Sequence, residues 1–561
     1  MGRWGDGRCE EPHTEGRMLD VRSTPPDCAQ ILMAFAGGQP KMRFNVQVGA
    51  LSSLILASSV AAQQLGTIHF PTSAPPAAQA PFIRGVLYLH SFEYESAAQA
   101  FRESQRLAPD FALAYWGEAM TYTHPVWNEQ DPGSARAVLS RLAPTAAGRR
   151  AKAGTPREQM YMDAIELLYG EGPKPRRDTL YTNAMERLAS AFPDDDDAQA
   201  FHALALLGLN QGVRDVPTYM RAGAIAQEVL RRNADHPGGA HYTIHAFDDP
   251  IHAPLGLRAA RLYSKIAPAA PHAQHMTTHI FVAMGMWDDV VSQNIAASGH
   301  NHGEWQAGHY TAWLGYGYLQ QGRMDEARRH LETVRANYRR TARRGEEPSL
   351  LSMRAQYLIN SERWTDSVVD WQIDASAAAV VARSMDVFAS AYAAFKSGNR
   401  RRSRDLLNEL GRLRMSRPSD DAYSTNSSVP GILERQLRAL VILQDGKQLD
   451  ALAILREAAE LEDAIPLEFG PPDVVKPTHE LLGEVLFELG RTREAQREFS
   501  RALELAPGRA RSLLGLGRAA LAAGDQGVAR LALEHLERIW HSADPGLPER
   551  AELDRMLARL K

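Results

Sequence analysis

The residues of this chain best suited to chemistry are its histidines, and they are unevenly spread. Ten of the nineteen fall between His236 and His309. Within that window His241 and His245 stand four apart, as do His275 and His279, and the two pairs repeat at an offset of 34 residues. On a helix, residues four apart share a face, one turn from each other. If the chain stacks one helix pair per 34 residues, two such faces lie side by side. His272 extends the second pair by three residues, Asp248 lies three past His245 with Asp249 beside it, and His309 follows His275 by a further 34. A three-residue insertion near residue 300 gives His309 a slightly different register. Neighbouring helices pack about 8–10 Å apart, so imidazoles from two of them reach one ion. Two His from each of two helices, or three His with a carboxylate, hold Zn, Cu, Ni or Fe. The spacing predicts a metal set of His241, His245, His275, His279, Asp248 and His309, with His272 and Asp249 as further ligand contacts.

Two other accounts of the row stay open from sequence. Paired histidines hydrogen-bond across packed helices with no ligand, and a metal-free ladder of imidazoles binds a peptide carboxylate or another anion. A second constellation pairs His90 with His124, again 34 apart, near Trp116, Glu118 and Trp127. There, core packing and the capping of helix C-terminal carbonyls compete with ligand binding. Near the C-terminal end, Lys476, His479 and Glu480 follow Phe469-Gly470-Pro471-Pro472. Glu480 is a candidate ligand contact or base that nears the histidine row only if the repeats come round on themselves.

Other chemistries lack their residues. Both cysteines, Cys9 and Cys28, precede everything that reads as folded, which excludes thiolate zinc sites, Cys nucleophiles and disulfides in the body. There is no H-E-x-x-H, G-x-S-x-G, phosphate loop or dinucleotide fingerprint, and GEGPKPRR at 170–177 lacks phosphate-loop spacing. A net charge of -4 gives no general attraction to nucleic acid or anionic membrane, and the clusters Arg339 to Arg344 and Arg400 to Arg404 sit beside turns with acidic residues after them.

The elements that must position the histidines follow a period. Gly483, Gly490 and Ala495 recur 34 residues later as Gly517, Gly524 and Ala529, while Phe499, Ala502 and Pro507 complete the first of these units. Gly85, Tyr88, Tyr94, Ala97, Phe101 and Pro109 keep nearly the same spacing, as do Gly315, Tyr318, Gly322, Ala327 and Leu331. Each unit reads as two short amphipathic helices with a turn at the second glycine. The alanines let helices approach, and Phe101 and Phe499 fill the space between them. One hairpin cannot bury its apolar face alone, so neighbours stack. No strand pattern competes.

This pattern resembles the tetratricopeptide repeat from 82 to 540, more weakly at 140–235 and at 412–430, which reads as a loop. The phrases AYWGEAMTYTHPVWNEQD, HYTIHAFDDPIHAPLGLRAARLYSKIAP, HAQHMTTHIF and FGPPDVVKPTHELLGE further resemble a bacterial family of exported tetratricopeptide proteins with a His-rich central repeat pair. The resemblance implies an all-α, right-handed superhelical solenoid of roughly twelve antiparallel helix pairs. It places both His pairs at the fifth and ninth repeat positions, which line a concave groove, and implies a peptide or protein segment as partner. It names no reaction.

Before the repeats, residues 1–41 read as an untranslated or disordered leader, with translation starting at Met42. Lys41-Met42-Arg43, the apolar stretch Val48 to Val60 and Ala61-Ala62 have the order of a secretory signal over 42–62, too short for a permanent bilayer span. Residues 63–81 read as a flexible Pro/Ala linker, 82–411 as a solenoid with its His-rich centre at 236–309, 412–430 as a loop and 431–545 as further repeats. The expectation is an exported binding scaffold with a His-rich site for a metal ion or a small or peptide ligand. The alternative is a metalloenzyme using that groove.

Overall fold

The computed structural model describes residues 64–210, 214–299, 305–343, 345–416, 428–466 and 469–561. They belong to one unit, Leu56–Lys561, and form 25 α-helices from Pro76–His90 to Pro548–Ala558. The only sheet among them is one antiparallel pair, Thr123–His124 with Glu129–Gln130. The architecture is an all-α helical-repeat solenoid, and a continuous apolar core runs from Leu65 to Leu560.

The repeat spacing has a steric cause. The Phe101 ring fills the gap between Gly85 of its own helix pair and Gly117 of the next: a Cβ would lie 2.7 Å from Phe101 Cε1 at the first and 2.3 Å at the second. Phe499 does the same between Gly483 and Gly515, at 3.0 and 2.3 Å. One large ring against two missing Cβ atoms locks successive hairpins together, so the glycines and the phenylalanine recur as a set. Gly524 ends its helix in the left-handed region, φ +81°, which a residue with a Cβ adopts only at a cost.

The weakly patterned stretch 140–235 is also helical, and Thr155 caps Pro156–Leu168 by accepting the Glu158 N–H at 3.2 Å. The expected flexible linker at 63–81 is corrected. Leu65 and Phe70 are buried, the Ala269 N–H donates to the Gln64 carbonyl, and the first helix already starts at Pro76. Apolar anchors among the prolines dock the segment on the repeats. The loop expected at 412–430 is bounded by helices Arg400–Met415 and Val429–Gln444, and its part from 417 to 427 lies outside the described residues. So do the leader at 1–41 and the secretory signal at 42–62. No described helix is long and apolar enough to cross a membrane.

The later repeats return to the central ones. Trp287 Nε1 donates to the Gly508 carbonyl (2.8 Å), Arg509 to the Tyr316 hydroxyl (3.0 Å) and Trp540 Nε1 to the Gln320 carbonyl (3.0 Å).

Candidate functional site

Three helices carry the histidine row: Pro237–Phe247 with His241 and His245, Pro271–Ala283 with His272, His275 and His279, and His309–Gln320, which opens on His309. Pro237 and Pro271 start their helices where the absent N–H would have had no partner. His236 caps the first by accepting the Gly239 N–H at its Nδ1 (3.1 Å). A Cβ at Gly238 would lie 2.5 Å from His90 Nδ1, so glycine there lets the first repeat close on this helix.

The two matched pairs come together, but not on one point. Donor atoms of His241, His245 and His272 lie within 4.8 Å of one another, and those of His275, His279 and His309 form a second such group. The expected four-histidine set is thus divided into two triads, joined by a third group of His245, Asp248 and His279 that spans both helices. The helices touch at His245 and His279, whose ring centres are 5.7 Å apart. Elsewhere the ring 5.0 Å from His241 is His272, not His275, and the ring 4.5 Å from His275 is His309. Each pair is thus completed by a histidine from the start of a helix.

Hydrogen bonds fix the tautomers. His241 Nδ1 lies 2.6 Å from the His90 carbonyl, His279 Nδ1 2.9 Å from Asp248 Oδ2, and His275 Nδ1 2.8 Å from Asn294 Oδ1. Asn294 is held in that orientation because its Nδ2 donates to the Val290 carbonyl at 3.0 Å. These partners only accept, so Nδ1 carries the proton on all three rings and Nε2 keeps its lone pair. His245 Nδ1 faces Asp248 Oδ2 at 3.6 Å, and His272 Nδ1 lies 3.3 Å from the Tyr310 hydroxyl. The Nε2 atoms of His241, His245, His272, His275 and His279 are buried with no protein partner. Lone pairs cannot satisfy one another, and each unpaired buried acceptor costs about 1–3 kcal/mol.

Protons compete weakly near neutrality at His241, His272, His275, His279 and His309. Burial, then the neighbouring imidazoles, pushes His241, His272 and His275 well below the usual imidazole value. Burial also lowers His279, although Asp248 pulls the other way. His309 keeps accessible surface, yet it sits deep enough among protein atoms that desolvation, with His279 and His245, brings it down to about 3. Burial alone would raise the Asp248 carboxyl; Arg214 beside it and the bond from His279, with His245 close by, hold it far below the carboxylate range.

His245, His272, His279 and His309 line a cavity of about 510 Å³, walled also by Trp127, Met276, Phe469 and Glu346. Phe92 wedges against the first triad with its ring 4.3 Å from that of His241, and holds φ +55°, a strained conformation of the kind found at functional sites. Trp313 lies 4.7–5.0 Å from the three rings of the second triad, and Phe469 stacks on His279 at 4.7 Å.

The other expected residues fall in different places. Asp248 accepts from His279 and pairs with Arg214, and its carboxylate also lies within 4.8 Å of donor atoms of His245 and His279. Asp249 binds Arg214 and His252, facing away from the triads. His90 lies behind His241: its Nε2 donates to Asp197 Oδ1 (2.9 Å) and its Nδ1 meets the Tyr242 hydroxyl (2.9 Å). Asp197 also has His236 Nε2 at 3.6 Å, but His236 spends its Nδ1 lone pair on the helix cap, so its Nε2 bears the proton and this trio is not a ligand set. His124 stacks on Tyr94 (4.1 Å) and pairs with Glu129 (3.2 Å), outside both triads. Glu118 is corrected: it is buried and saturated by Arg102, Arg141 and Gln105. Glu480 is corrected too, being neutralised by Lys476 and Arg509 and bonded by Ser512; Phe469, from the same phrase, reaches the histidines instead. Sequence reasoning missed Asn294, Phe92, Trp313 and Tyr310, and Glu346, whose Oε2 is buried without a partner.

No curated protein matches the chain. Among solved structures it is similar to human IFIT1, crystallised as a dimer with m7Gppp-AAAA, at 13% identity over 87% of this chain and 94% of that one, with a TM-score of 0.31. It is also similar to the APC/C hetero-tetramer Cut9-Hcn1, at 12% over 87% and 96% with a TM-score of 0.30, and to yeast Tom70, at 12% over 86% and 88% with a TM-score of 0.25. Scores this low say nothing about a ligand. Residues 481–546 match the family described as tetratricopeptide repeat, in agreement with the Phe499 packing unit.

Proposed function

We propose that this chain is a helical-repeat scaffold whose central cavity holds transition-metal ions through imidazole Nε2 atoms. One observation carries the reading. Five buried Nε2 atoms converge without a protein partner, and three of them are fixed as lone pairs by acceptors on the opposite nitrogen. A metal ligand uses one ring nitrogen and gives the other to a carbonyl or carboxylate, the pattern at His241 and His279. Neutral nitrogen donors suit Zn, Cu, Ni or Fe and not Mg or Ca, which want oxygen. The cavity volume of about 510 Å³ is in the range of small-molecule sites, and favours a small ligand over a peptide segment in a concave groove. Zinc added to chelator-treated, untagged protein should bind with micromolar affinity or better, and the double variant His245→Ala, His279→Ala should lose that binding while keeping its helix content.

A second reading, a metalloenzyme, is favoured by Glu346. It is the only carboxylate among the described residues lining the cavity, and its Oε2, buried without a partner, would act as the base if a metal held by the triads activated a water. Glu346→Gln would then leave metal content unchanged and abolish turnover of any substrate found. We further propose export, on the order of charge, apolar run and small residues over 41–62.

A further inference from the structure

We infer that the cavity holds two metal ions, one in each triad, with Asp248 orienting a ligand of one and standing beside a ligand of the other. This rests on the metal reading above and extends it from a site to a paired centre.

The two triads share no residue, and each brings its three donors within 4.8 Å of one another. Ligands held at about 2.0–2.1 Å from one zinc lie some 3–4 Å apart, so a small ring movement closes either triad. Six imidazoles exceed the four-coordinate shell that Zn and Cu accept in such sites. A single ion at the His245–His279 contact would leave the lone pairs of His241 and His275 buried and unanswered, at about 1–3 kcal/mol each. Two ions answer both, together with that of His279.

The partners on the far nitrogens support the same division. Asp248 Oδ2 accepts from His279 of the second triad and stands 3.6 Å from His245 Nδ1 of the first. One carboxylate, anchored by Arg214, therefore binds a ring of the second triad and lies beside a ring of the first across their contact. Asn294 serves His275 alone, and the His90 carbonyl serves His241 alone. Each triad supplies three protein ligands and includes rings that line the cavity, so each ion keeps a coordination position for an oxygen ligand there.

The test is zinc stoichiometry. Untagged chain is stripped with chelator, loaded with Zn2+, dialysed and measured by elemental analysis. Two zinc per chain are expected, falling to one in His272→Asn and to one in His309→Asn, with helix content unchanged by circular dichroism. Asp248→Asn should weaken both sites and Asn294→Ala only one, each by about 10–100-fold. His309 keeps accessible surface at a helix start, so its variant is the milder and decides the matter if His272→Asn fails to fold. One zinc in the native chain, lost entirely in either variant, overturns the paired centre and leaves the metal reading standing. Two zinc retained in both variants overturns the assignment of triads. No zinc bound at all overturns both proposals.

Discussion

His272→Phe separates a ligand from a structural histidine, because the two roles predict opposite signs. In the protein without metal, His272 Nε2 is a buried polar atom with no protein partner, at a cost of about 1–3 kcal/mol. Phenylalanine removes that cost and keeps the ring among Phe92, 5.5 Å away, and Trp127, 6.1 Å away. What is lost is the contact from Nδ1 to the Tyr310 hydroxyl at 3.3 Å, a long bond whose net value is about 0.5–1 kcal/mol. The balance is a gain of about 1 kcal/mol, a rise of about 1–2 °C in the melting midpoint for a chain of this size. The assay is a circular-dichroism melt in chelator and again with saturating zinc. Zinc at a hundred times its dissociation constant adds about 2.7 kcal/mol per site. The native chain should gain from both triads and the variant from only one. A variant that melts lower in chelator, yet gains as much from zinc as the native chain, would refute the reasoning.

Other consequences follow from the same packing and charge. Five imidazoles are held below their usual value of about 6.5, so in acid the unfolded chain takes up more protons than the folded one. Stability is therefore complete above pH ~6.5 and falls toward each folded value, each imidazole still neutral at pH 5 costing about 2 kcal/mol. The urea midpoint of metal-free protein should drop between pH 7.5 and 5.0, and a flat profile would contradict the burial of neutral rings. Gly515→Ala, whose Cβ would meet Phe499 Cε1 at 2.3 Å, should destabilise by about 1–2 kcal/mol where an ordinary helix glycine would gain about 1; a stabilised variant would contradict the ring-in-gap account. N-terminal sequencing of native protein should start at Gln63 in an extracytoplasmic fraction, whereas an intact leader in the cytoplasm would refute export.

The helix pairs were legible because their packing is written in recurring residues: a ring such as Phe101 needs small neighbours at fixed distances, and those distances are the period. The histidine row was legible for the same reason, since a four-residue step on a repeated helix puts rings on equivalent faces. The division into triads was not. It depends on where helices diverge, and His272 and His309 join from helix starts whose direction no local pattern records. The tautomers were beyond reach for a simpler cause: the acceptor for His241 is a carbonyl 151 residues away, and that for His275 is a side chain on the following helix. Asp248 lay within reach as a nearby carboxylate, but its bonds to His279 and Arg214 did not. Glu480 and Glu118 were misplaced because a buried glutamate reads alike in sequence whether it faces a ligand or two basic side chains.

The most direct test of the central claim is X-ray absorption on untagged protein, with metal content measured on the same sample. The account predicts a first-row transition metal bound by nitrogen alone among protein donors, about three imidazoles per ion at roughly 2.0–2.1 Å, lost in the His245→Ala, His279→Ala variant. Protein that takes up no metal after reconstitution, or whose metal survives that double substitution, would contradict it.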